Sequence, residues 1–325
     1  MQRTIVASLA LVSLLVLPAA AVAADASGSG AAAPTAQSLI DKAERQEKAR
    51  DYKGGLKTIN EALVLEPQNA TALVDRGDLK DELSDHDGAL LDYNAAILIN
   101  PDYEYAYRTR CDTENEMDRY QDAIADCTKA ISLDGTIAAT YHMRADAHNG
   151  NGESDEAIAD ATKAISLDSA DVRAYVYRCS AYDDLSKEDL ALADCTKAIA
   201  LDPSYDWARY VRGYVYDEMS QWQNALGDVQ LYLKNYPNDE YGKLARGRAE
   251  LGLGQTQAAL VDFNAFVAVH DDNPYGLLMR ARAQVKLGNT TAARADATAS
   301  LRYYRIKNND VGAKDAQAVL DSLGS

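Results

Sequence analysis

The chain has 325 residues, with 33 Lys and Arg against 50 Asp and Glu, for a formal net charge of -17. A surplus of that size repels phosphate backbones, which argues against nucleic acid and for a basic protein segment or a cation as partner. The four Cys and four His lie at no zinc-site spacing, so neither a metal nor a cofactor is expected.

Residues 1–23 read as an export signal. Arg3 supplies the positive start, Ile5 to Leu17 is apolar, Pro18 breaks the run, and Ala21-Val22-Ala23 gives a small-x-small cleavage pattern. Cleavage after Ala23 or after Ala24 fits equally well. The expected location is a bacterial periplasm, with no membrane span left after the signal is removed. Residues 24–35 are rich in Gly, Ala and Ser and are expected to be a flexible leader.

From residue 36 the chain repeats every 34 residues without insertion. Pro67, Pro101, Pro203 and Pro237 lie on this period, and Gly135 and Ser169 fill the slots between them. A second column is Arg76, Arg110, Arg144, Arg178, Arg212, Arg246 and Arg280. A third is Asp92, Asp126, Asp160, Asp194, Asp228, Asp262 and Asp296. Eight units result, starting at residues 36, 70, 104, 138, 172, 206, 240 and 274 and ending at 307. Each holds two apolar helical patterns around a short polar break, such as Asp118-Arg119 or Gly150-Asn151-Gly152, where Gly and Asn suit the positive φ of a tight turn. A period in this range predicts an all-α stacked solenoid. Residues 308–325 carry an apolar stripe of Val311, Ala316, Val319, Leu320 and Leu323, expected to form a capping helix.

Residues 36–307 resemble the tetratricopeptide repeat family. A small residue stands at position 8 of every unit (Ala43, Gly77, Cys111, Ala145, Cys179, Gly213, Gly247, Ala281), and position 20 is Gly55 and then Ala in every unit. Position 24 departs from the family's aromatic, being Cys127, Ala161, Cys195 and Ala297 in four units, and position 4 lacks the family's Trp. The resemblance implies a right-handed superhelix whose concave face is lined by the first helix of each unit and contacts protein partners.

The Arg and Asp columns occupy positions 7 and 23, equidistant from the interhelix turn. Arg in a packed seam needs an acceptor. Unit one lacks both, with Lys42 and Thr58 in their place, so pairing within each unit is expected. Cys111 and Cys127, and Cys179 and Cys195, are also 16 residues apart across a turn. Export to an oxidising compartment predicts two disulfides within units three and five; four buried thiols are the alternative.

The resemblance places positions 2, 5, 9, 12 and 13 on the concave side. Those positions give Asp78, Asp81, Glu82, Asp112, Glu116, Asp146, Asp183, Asp184, Asp217 and Glu218 in units two to six, then Arg248, Arg282 and Lys286. Trp207 and Tyr210 lie near the join and are candidate anchors. The chain has no Gly-rich phosphate loop and no recognisable nucleophile motif, so an enzyme is not expected. The expected function is an exported scaffold that binds a basic protein segment along an acidic groove, in the assembly of an envelope complex. The alternative is a self-assembling structural protein whose groove takes another copy or its own leader.

Overall fold

A computed structural model describes residues 33–324; the signal-like segment and the leader up to residue 32 lie outside them. The described residues form seventeen helices and no strand. Unit one holds α1 (Ala36–Lys48) and α2 (Tyr52–Leu65), unit two α3 (Ala70–Asp81) and α4 (His86–Ile99), and unit three α5 (Glu104–Glu116) and α6 (Tyr120–Leu133). Unit four holds α7 (Ala138–Gly150) and α8 (Ser154–Leu167), unit five α9 (Val172–Asp184) and α10 (Glu188–Leu201), and unit six α11 (Asp206–Glu218) and α12 (Trp222–Asn235). Unit seven holds α13 (Glu240–Gly252) and α14 (Thr256–Val269), and unit eight α15 (Pro274–Lys286) and α16 (Thr290–Ile306). The last helix is α17 (Asp310–Ser322).

Each helix packs on the next. Odd-numbered helices also touch the odd helix of the following unit, whereas no two even helices from α2 to α16 touch. The odd layer therefore lies on the inside of the stack's curve. This is the arrangement of an all-α repeat solenoid.

Local chemistry sets the helix ends. Glu66, Asn100, Asp202 and Tyr236 precede prolines and leave the helical region at ψ 80°, 92°, 97° and 61°, because a following proline ring disfavours αR. Asp134, Asp168 and His270 leave it at ψ 100°, 103° and 61° with no proline after them, whereas α16 continues through Arg305 and runs for 17 residues, against 14 in the other second helices. The turn inside each unit depends on position 15, which takes positive φ throughout. Gly152, Gly254 and Gly288 do so freely, but Arg50, Ser84, Asp118, Ser186 and Ser220 do so as well. Asn151, read from sequence as a turn residue with positive φ, is right-handed at φ -84°. In α17, Ala316 and Val319 are buried and Leu320 packs beside them, but Val311 is 75% exposed and stands off the expected stripe.

Within each hairpin, residue i faces residue i+16, and two seams follow from this. In the first, every Arg of the column pairs with the Asp of its own unit. Arg178 donates from Nε to Asp194 Oδ2 at 2.7 Å and from Nη2 to Oδ1 at 2.9 Å. The same fork recurs in all seven units. In unit one Thr58 donates instead to Gln46, at 2.7 Å. The third guanidinium nitrogen reaches position 25 of the preceding unit, as Arg178 Nη1 reaches Thr162 Oγ1 at 3.0 Å. The receivers in the other units are Asn60, Asn94, Thr128, Thr196 and Asn264.

The second seam pairs positions 8 and 24 by size, and this accounts for the departures at position 24. Gly77 faces Tyr93 and Gly247 faces Phe263; a Cβ on these glycines would meet the rings at 2.4 Å and 2.7 Å. Ala145 and Ala161 share another unit's seam, both fully buried. Units three and five place Cys111 with Cys127 and Cys179 with Cys195, each pair at disulfide-bonding distance with Cα atoms 5.6 Å apart.

Two measurements test the seams. Arg178→Ala strands the buried Asp194 carboxylate and should cost about 3–5 kcal/mol in a denaturant titration, with Asp194→Ala added to it recovering part of the loss. An unchanged midpoint in the single variant overturns the seam's role. Reduction should lower stability by about 3 kcal/mol per disulfide, given loops of this length, and the non-reduced chain should yield no alkylatable thiol after denaturation.

Candidate functional site

The sequence-selected carboxylates fall along the odd-helix layer but not in equivalent settings. At the N-terminal end, Asp78, Asp81, Glu82 and Asp112 line one cleft of about 220 Å³ with Glu47, Tyr93, Tyr105 and Arg108. Asp78 is no free groove charge. Tyr93 Oη and Tyr105 Oη each donate to it at 2.8 Å, so it ties α4 and α5 to α3. Asp81 Oδ1 lies 2.8 Å from His86 Nδ1, and Glu116 Oε2 lies 3.7 Å from the same nitrogen. These three side chains form a possible ligand set, although no metal is expected from the sequence spacing.

In the middle stretch, Asp112 and Asp146 share their surroundings with an imidazole and a guanidinium that the sequence reading passed over. His142 and Arg173 act on both carboxylates, and the Tyr177 hydroxyl hydrogen-bonds to Asp146. His142 Nδ1 lies 2.7 Å from Asp171 Oδ2. Asp184 accepts a long contact from Ser154 at 3.5 Å, and Asp183 keeps one buried oxygen without a partner.

At the C-terminal end, Arg248, Arg282 and Lys286 line a cleft of about 560 Å³ with Trp222, Tyr275, Met279 and Val319. Its positive charge is largely matched from within. Arg248 Nη2 lies 2.5 Å from Asp217 and 2.7 Å from Glu218, and Arg282 Nη2 lies 3.0 Å from Asp315 of α17. Lys286 Nζ donates to the Leu251 carbonyl at 3.2 Å. The groove therefore changes sign less sharply than its sequence suggests. Trp207 is 42% exposed and stacks on Tyr210 with ring centroids 4.6 Å apart. Tyr210 in turn packs on Tyr214 and Tyr232. Of the two candidate anchors, Trp207 offers the free surface.

Burial shifts several of these acids. The Asp75 carboxyl is pushed up to about 7 by burial and then by the charges of Asp78, Glu44 and Glu47. Burial also lifts Asp78, Asp146 and Asp183 to about 6, against the hydroxyl hydrogen bonds that Asp78 and Asp146 accept. Asp75 sits at position 6, outside the positions used to pick groove residues, and Glu47 sits at position 12 of unit one, outside the units from which the acidic residues were taken, so the sequence reading missed both.

A carboxyl raised in the folded state favours folding when protonated. Its contribution is fully present below the unfolded value near 4 and is lost as pH rises through about 6 to 7. Asp171 works in the opposite sense: its hydrogen bond and charge pairing with His142 outweigh burial and hold it low, so its contribution is lost in acid. Asp75→Asn should therefore raise the thermal midpoint by several degrees at about pH 8, with the gain shrinking steadily toward about pH 5. A gain independent of pH overturns the reading of Asp75 as a strained, ionised carboxylate.

Family models described as tetratricopeptide repeat match residues 138–171, 40–104 and 244–320, together more than half of the chain. No curated protein matches it. Among solved structures, the Cut9–Hcn1 hetero-tetramer of the APC/C matches with a TM-score of 0.71 at 17% identity, over 88% of this chain and 55% of that one. A tetratricopeptide repeat protein from Parabacteroides merdae ATCC 43184 matches with a TM-score of 0.60 at 15% identity, over 77% of this chain and 98% of that one. At such identities the likeness speaks for the fold. Together with the family models and the 34-residue columns, it identifies the chain as a member of the tetratricopeptide repeat family.

Proposed function

We propose that this protein is an exported, non-enzymatic scaffold that binds a protein segment along its odd-helix face. Tetratricopeptide repeat proteins bind protein partners, and the observation that carries the reading here is the exposed Trp207–Tyr210 stack beside a long charged groove. Export is supported by the sequence pattern of residues 1–23 and by two cysteine pairs at bonding distance, which suit an oxidising compartment such as a bacterial periplasm. No helix of the described residues is long and apolar enough to cross a membrane.

The proposed partner is a basic segment of an envelope complex. Glu82, Glu116 and Asp184 are its exposed acidic contacts, whereas Asp78, Asp112 and Asp146 act mainly inside the fold. Self-assembly is the second reading. It is favoured by an uncovered apolar run on the outer layer, where Val64 of α2 and Leu91 and Leu98 of α4 are 79%, 69% and 84% exposed.

The test is capture from an envelope extract, identification of the partner, and measurement of its association rate. Glu82→Lys, Glu116→Lys and Asp184→Lys together should slow association several-fold without unfolding the chain, and added salt should do the same to wild type. Trp207→Ala should cost about 1 kcal/mol or more of affinity. Rates indifferent to both charge reversal and salt overturn the acidic-groove reading. Recovery of this chain alone supports self-assembly instead.

A further inference from the structure

The repeat brings three positions together at every junction between units. These are position 12 at the end of a first helix, position 17 at the start of the second, and position 13 of the next unit's first helix. The packing of position 17 on the neighbouring position 13 is visible where that neighbour is glycine. Tyr120 lies so close over Gly150, and Trp222 over Gly252, that an added Cβ would sit 2.3 Å and 2.5 Å from the rings. At the junction of units two and three the same positions hold Asp81, His86 and Glu116. They come from three helices: α3, α4 and α5.

Their donor atoms all lie within 4.8 Å of one another, with the Asp81 oxygen 2.8 Å and the Glu116 oxygen 3.7 Å from His86 Nδ1. Around an ion with bonds of about 2.0–2.1 Å, neighbouring ligand atoms sit about 3–3.5 Å apart. Small side-chain adjustments would therefore bring the three onto one cation. The electrostatics also call for positive charge. Glu82 and Asp112 crowd the same place, and among the described residues no Lys or Arg nitrogen lies within 4 Å of the carboxylates of Asp81, Glu82, Asp112 or Glu116. The His86 ring stands nearest to Asp81 and Glu116, while Arg108 and Arg173 act on Asp112 from farther off. The adjoining cleft, lined by Asp81, Glu82 and Asp112, leaves an approach from solvent.

We propose that Asp81, His86 and Glu116 form a binding site for a divalent transition ion of the Zn²⁺ type, pinning the α3–α4 hairpin to α5. An imidazole nitrogen among the ligands favours such an ion over Mg²⁺ or Ca²⁺, which prefer all-oxygen shells. Three protein ligands leave a fourth position for water or for a carboxylate of a bound partner. A metal ligand nitrogen must be unprotonated, so uptake should weaken in acid.

The test uses the untagged, oxidised chain stripped with chelator and titrated calorimetrically with Zn²⁺ alone. One Zn²⁺ per chain is expected, with a rise in thermal midpoint. His86→Ala and Glu116→Gln should each weaken binding about tenfold or more, while His270→Ala, far along the stack, should leave it unchanged. Mg²⁺ at equal concentration should not compete. His86 is partly exposed, and nitrogen NMR of its imidazole in unmutated protein gives a second readout that no folding defect can mimic: its Nδ1 signal should shift on zinc addition. Binding indifferent to both substitutions, several equivalents taken up by scattered carboxylates, or a His86 signal that stays put would each overturn the proposal.

Discussion

The whole architecture depends on one register: in every hairpin, residue i lies opposite residue i+16. A bidentate Arg–Asp fork fixes that register in a way no apolar contact does, because a guanidinium and a carboxylate match in only one alignment. One turn of slip would leave an Arg and a buried Asp unpaired in each of units two to eight. The neighbouring seam then has a fixed width, and its two positions must share that width. Gly77 and Gly247 face rings, Gly213 faces Val229, Ala145 faces Ala161, and cysteine faces cysteine. The disulfides are thus one of several answers to the same packing problem.

The fold was legible because each unit repeats the same signals. The Arg and Asp columns, the alanines at position 20 and the breaks at position 32 agree with each other in unit after unit, and such agreement across levels is what specifies a structure. What escaped was contact across unit boundaries. Thr stands two residues after the column Asp at 128, 162 and 196, yet nothing in one sequence says that it receives the next unit's guanidinium. At the turn, the expectation of positive φ holds for Gly152 but not for Asn151, and the other turn residues gave no signal of it. Arg50 and the serines at 84, 186 and 220 adopt positive φ because the hairpin imposes it, not because their own preference does.

The groove was less legible than the fold. Choosing residues by repeat position finds the right face but ignores what each side chain meets there. Asp78 is held by two tyrosine hydroxyls, and Arg248 is taken up by Asp217 and Glu218 from the unit before it. Arg173 and His142, which temper the middle of the groove, stand at positions 2 and 5, groove positions whose occupants vary from unit to unit, so no column marks them. The His86 cluster joins residues 5 and 30 positions apart, a spacing that only the stacking of units explains.

The reach of each guanidinium back to position 25 of the previous unit has a mechanical side. Six boundaries carry this polar strut, from Asn60–Arg76 at the first to Asn264–Arg280 at the last. The exception is the boundary between units six and seven, where Gln230 stands in the receiving slot and Arg246 bonds only to its own Asp262. Arg248 crosses that same boundary on the inner side, to Asp217 and Glu218. At this one joint the polar tie has moved from the outer edge of the stack to the inner edge. A joint tied on its inner edge alone has nothing polar on its outer edge to resist closing of the groove, and this one stands beside the aromatic stack that begins at Trp207.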